Sequence, residues 1–175
     1  MNTGQSILTI GAMLLLSVLI LRVNGSINSS GQYVSTSKIG LTAISLAQSR
    51  LEEIKSKAFD EKTVSNVQSS TSNLTSPAKL GPDAGESYPN FDDIDDYNGF
   101  TWTDTVQVDP NLPKSGSNVE YFNESCSVVY VPSTPPFSTS NTQTWNKMIT
   151  VSVTHKMMTD TITISTIFSY WVFRE

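Results

Sequence analysis

Apolar residues crowd the start of the chain. Residues 7–21 read ILTIGAMLLLSVLIL, without a charge, and Arg22 closes the run. As a helix rising 1.5 Å per residue this run covers roughly 22 Å, and it approaches the ~30 Å of a bilayer core only with Gln5 and Val23 included. Such a segment serves as a secretory signal, as a plain membrane anchor, or as a helix that sits in the membrane first and is then buried against copies of itself. The uncharged residues 1–6 lack the positive start of a signal peptide.

The next stretch is of another kind. Asn24, Gly25, Ser26, Asn28, Ser29, Ser30 and Gly31 are poor helix formers, so propensity predicts that the helix stops or loosens over 24–32. From Tyr33 a second helical pattern strengthens. Ile44, Ala47, Leu51 and Ile54 recur at spacings of three and four, with Gln48, Arg50, Glu52, Glu53, Lys55 and Lys57 on the other faces. That stripe is expected to pack on a sheet.

Polar, proline- and glycine-bearing residues 63–89 read as loop. Strand patterns then take over. Phe100, Trp102, Val106 and Val108 alternate with Thr101, Thr103, Thr105 and Gln107, and residues 119–131 form a second candidate strand ended by Pro132, Pro135 and Pro136. Ile149, Val151 and Val153 alternate with Thr150, Ser152 and Thr154, residues 155–160 turn, and residues 161–173 run back as the second half of a hairpin. On that last strand Phe168 and Tyr170 share one face and Ile167, Trp171 and Phe173 the other, so one face is expected to meet another subunit. The fold class is α+β: a long N-terminal helix, apolar then amphipathic, packed on a C-terminal antiparallel sheet of about four strands. The chain divides into an apolar helix (1–23), a flexible or melted step (24–32), an amphipathic helix (33–60) and a β-rich head (61–175).

Composition narrows the function. A formal charge of −5 and a pI near 4.8, with no cluster of Lys or Arg, exclude a nucleic-acid partner. The single cysteine, Cys126, excludes an intrachain disulfide and reads as a buried small apolar residue. His155, the only histidine, falls beside Lys156 in the expected turn and reads as exposed. There is no phosphate-cradling glycine loop and no metal-binding His/Cys spacing, so the chain reads as a non-enzyme without a small-molecule substrate.

One constellation offers ligand chemistry. Residues 86–109 hold seven acids and no Lys or Arg. Asp92, Asp93, Asp95 and Asp96, with Asn98 and Gly99, place hard oxygens of the kind Ca²⁺ takes on a turn-prone segment, although no glutamate closes an EF-hand loop. The other readings are a solvated acidic loop and a contact to Lys or Arg of a neighbouring subunit.

The apolar run, the segment AISLAQSRLEEIK (43–55), the NGF step after the acidic block and the closing pair ITVSVT and TITISTIFS together resemble a type IV pilin or pseudopilin of the minor-pilin type. The resemblance implies a structural subunit of an extracellular, type IV pilus-like helical filament, held in the inner membrane before assembly and partnered by copies of itself. Its assembly core would be Ile7, Leu8, Ile10, Met13, Leu14 and Leu15, continued by Leu16, Val18, Leu19, Ile20 and Leu21. Some pseudopilins hold calcium in a head loop, which bears on the acidic block. The family usually has a basic leader ending in glycine and a glutamate at the fifth mature position. Here no acid precedes Glu52, and the fifth mature residue would be Thr9 after cleavage at Gly4, or Gln5 if Met1 is the mature start. Two alternatives stay open: a minor pseudopilin of a secretion pseudopilus, and a single-span, membrane-anchored surface binding protein.

Overall fold

The computed structural model describes residues 3–108 and 111–170. Trp171 and Phe173, and with them the end of the expected last strand, lie outside the described residues. Helix α1 runs Thr3–Lys55. Contacts group the chain into two units, Met1–Ile39 and Gly40–Glu175, which are described in turn.

The first unit is helical. The loosening expected over 24–32 does not appear here, because the backbone stays helical through Asn24 and Gly31. The serine hydroxyls are accommodated within it: that of Ser29 donates to Gly25 O at 3.0 Å and that of Ser30 to Ser26 O at 2.9 Å. Serines that close back on the preceding turn satisfy their own hydroxyls without breaking the ladder.

The second unit is the head. A short helix α2 (Glu61–Val64) follows α1, capped by Asp60. Strands β1 (Thr101–Gln107), β2 (Val119–Tyr130), β3 (Asn146–His155) and β4 (Ile162–Ser169) pair antiparallel in chain order. The registers Trp102↔Glu124, Cys126↔Val151 and Ile149↔Thr166 carry the period-two pattern across the sheet. Phe122, Cys126, Val128 and Tyr130 of β2 and Ile149, Val151 and Val153 of β3 are buried on the inner face. The outer face shows hydroxyls, paired across strands as Thr150 with Ser165 and Ser152 with Thr163.

The second half of α1 covers the inner face. Ala47, Leu51 and Ile54 are buried as the stripe predicts, but Ile44 is 37% exposed and Ala43 is buried instead. One residue along a helix is a rotation of about 100°, which carries position 44 off the face centred on Ala43, Ala47 and Ile54. Gly99 turns the chain into β1 with φ +77°, a conformation that favours glycine. Beside it Asn98 accepts from Val128 N–H and donates to Leu80 O, pinning the entry of the strand.

The packing yields a contrast. Ile54→Ala is expected to lower the unfolding free energy by about 2–5 kcal/mol, and Ile44→Ala by less than about 1 kcal/mol, read as denaturant midpoints of the detergent-solubilised chain.

Candidate assembly segment and the charged centres of the head

The apolar start of α1 is uncovered. By length and composition α1 contains one candidate membrane span, and none of its apolar window is buried. The eleven residues named for an assembly core, from Ile7 to Leu21, are each at least half exposed, Leu8 and Leu15 reaching 74%. They surround the helix rather than striping it, the pattern of a segment whose every side meets lipid or other apolar helices. Polar groups within it are closed internally: the Thr9 hydroxyl donates to Ser6 O and the Ser17 hydroxyl to Met13 O.

The acidic block is not a solvated loop. Asp93, Asp95 and Asp96 are buried, and only Asp92 of the four is exposed. Asp93 Oδ1 accepts from the N–H groups of Asp95 and Asp96, and Asp96 Oδ2 from those of Asp92 and Asp93, so these two carboxylates fold the loop back on itself. Asp95 meets a cation that the protein itself supplies. Lys147 Nζ lies 2.6 and 2.8 Å from its two oxygens, 2.9 Å from Asp60 Oδ2 and 2.8 Å from Phe59 O. Lys147 is fully buried, with its ammonium over the rings of Phe59 and Tyr130 at 4.4 and 4.8 Å.

These surroundings set the titration of the carboxyls. Burial, reinforced by the charges of Asp95 and Asp96, pushes Asp93 up to about 8. Burial lifts Asp95 to about 7 even against Lys147. Asp60 is also opposed by burial, but Lys147 and its hydrogen bonds outweigh this and hold it below the usual carboxylate range.

A second charged centre gathers on α1. Arg50 contacts Glu53 at 2.6 Å, Asp104 at 3.1 Å and Glu124 at 3.4 Å, bonds the Tyr88 hydroxyl at 2.9 Å and stacks over Trp102 at 4.4 Å. Glu124 is buried, and burial together with Asp104 raises it to about 7. One cation thus ties the helix to β1 and β2.

Sequence reasoning missed Lys147, Asp60 and Arg50 as centres. Lys147 could have been found by parity, since it shares the inward phase of Ile149, Val151 and Val153 in β3. His155 departs from its expected exposure: it is the last residue of β3, buried, with Nε2 3.0 Å from Glu120 and its ring 4.6 Å from that of Phe122. Strand β3 runs two residues further than the alternation of Ile149 to Val153 suggests, which turns position 155 inward. Cys126 is buried, and burial pushes its thiol up to about 12, away from thiolate chemistry. Among the described residues the three carboxylates close enough to share one ion are Glu61, Glu86 and Asp92, so the four aspartates of the sequence pattern do not converge on a common ligand position.

No protein-family model matches this chain, and neither a curated protein nor a solved structure matches it.

The raised Asp93 makes stability depend on pH. The folded protein keeps this proton to about pH 8 while the unfolded chain releases it near its ordinary value of 3.8, so the folded state binds the extra proton between those limits. Stability is therefore expected to fall as pH rises through that window, and Asp93→Asn to flatten the fall. Denaturant midpoints of both proteins at about pH 5 and about pH 8.5 check this.

Proposed function

We propose that the chain is a structural subunit of an extracellular, type IV pilus-like helical filament that polymerises through its apolar N-terminal helix. The observation that carries this reading is an apolar helical segment uncovered on all sides, followed in the same chain by a sheet head with a packed core of its own. In the membrane the segment meets lipid; in the filament it exchanges lipid for the same segment of neighbouring subunits. At ~25 cal/mol per Å², covering ten or so large side chains is worth on the order of 15–30 kcal/mol gross against water, before ordering costs. Against lipid the hydrophobic term is small, so the choice between bilayer and filament rests on side-chain packing between helices.

The lack of any acid before Glu52 favours a second reading, a minor pseudopilin that caps a short secretion pseudopilus and does not polymerise alone. Material sheared from producing cells distinguishes the two by electron microscopy with N-terminal sequencing: long fibres built of this chain are expected for the first and short or absent fibres for the second. Exchanging residues 7–21 for an unrelated apolar span of equal length is expected to keep the protein in the membrane fraction and abolish fibres. Retained fibres would remove the role given to specific helix packing.

A further inference from the structure

Lys147 is gripped by two aspartates inside an aromatic cage, its Nζ 2.6 and 2.8 Å from the two oxygens of Asp95 and 2.9 Å from Asp60. We propose that Lys147 and Asp95 are joined in the mature protein by an intramolecular amide bond between Lys147 Nζ and Asp95 Cγ, with Asp60 carrying the proton. The inference does not depend on the filament reading.

The geometry has three parts. Both oxygens of Asp95 face Nζ at 2.6 and 2.8 Å, so the amine lies directly against the carboxyl group. Lys147 and Asp60 side chains are fully buried and that of Asp95 is 3% exposed, which keeps bulk water from the reacting atoms. Asp60 is fixed beside them: its oxygens accept from Lys62 N–H, Thr75 N–H and the Thr75 hydroxyl, and the Tyr130 hydroxyl lies 3.0 Å away. Two reactants held in contact in a dry pocket meet the proximity requirement for an otherwise slow condensation.

The two aspartates have different roles because their surroundings differ. Asp60, rich in donors and held as a carboxylate, stays ionised beside the reacting pair and serves as the proton carrier once the C–N bond has formed. Asp95, raised to about 7 and in direct contact with Nζ, is the stronger base of the two and takes the proton of the Lys147 ammonium, leaving a neutral amine against a carboxylic acid. The freed amine attacks Asp95 Cγ and forms the C–N bond. Asp60 takes one proton from the nitrogen of the adduct and passes it to the hydroxyl, and the C–O bond breaks as that oxygen leaves as water. In sum, one ammonium and one carboxylate become one amide and one water, and nothing is oxidised or reduced. The product also replaces a buried ion pair, whose desolvation is costly, by a neutral group. It ties β3 to the loop ahead of β1 in a chain whose single cysteine allows no internal disulfide.

The full-length protein, purified in detergent and then denatured, provides the test by intact mass spectrometry. A mass one water below that calculated from the N-terminus found by sequencing is expected, with a branched peptide joining the Lys147 and Asp95 segments after proteolysis. The full mass, or a water loss located elsewhere, including a branch at Asp60, overturns the proposal; this measurement needs no variant to fold. Lys147→Arg and Asp95→Ala are expected at full mass. Asp60→Asn is expected to reduce the cross-linked fraction at least several-fold, and an unchanged fraction overturns the proton-carrying role.

Discussion

An ammonium group at the centre of an apolar core sets the terms for the head. Lys147 occupies an inward position of β3 between side chains that exclude water, and a charge there is tolerated only with close, hydrogen-bonded counter-charges. Those counter-charges come from two places distant in sequence, Asp60 just after the long helix and Asp95 just before β1. Meeting this requirement draws the connecting segment onto the sheet. Ala58 N–H donates to Asp92 O and Ile94 N–H to Ala58 O, so a segment with little regular structure is laced in place around the lysine. Asp60 then fixes a further loop through Thr75.

Arg50 solves a related problem with a different side chain. Its planar fork spreads over Glu53, Asp104 and Glu124 and stacks on Trp102, so one residue of the helix registers two strands at once. Lys147, a compact point charge, suits a closed cage; Arg50 suits a partly open seam. The two centres differ in solvent access, with Asp104 about a third exposed and Asp60 fully buried.

The regular elements were readable from periodicity because each half-buried element repeats its environment. The alternation of Ile149, Val151 and Val153, and the stripe of Ala47, Leu51 and Ile54, report burial that the structure contains. Ile44 shows the limit: spacings of three and four define a stripe but not which edge of it meets the sheet. The acidic block was harder, because its charge density suggests solvent when nothing local indicates a buried lysine some fifty residues later. His155 was misplaced for a related reason, since the end of a strand is set by pairing with Phe122 of β2 rather than by its own neighbours.

Charge is also divided along the chain. Before Arg50 the only charged residues are Arg22 and Lys38, and every one of the acids lies from Glu52 onward, so a formal −5 overall leaves −7 on residues 50–175. The apolar segment therefore carries no charge that would oppose its burial in apolar surroundings, while two such heads at close range would repel one another. Repulsion between exposed charges falls off within about 10 Å at 0.1 M salt, whereas helix packing in an apolar core is little screened. Part of the acidity is withdrawn from this repulsion, because Asp93 is folded inward and keeps its proton to about pH 8. The Asp95–Lys147 pair is itself neutral and leaves that sum unchanged, so the negative charge of the head falls below the formal value through the proton held by Asp93 and not through the ion pair.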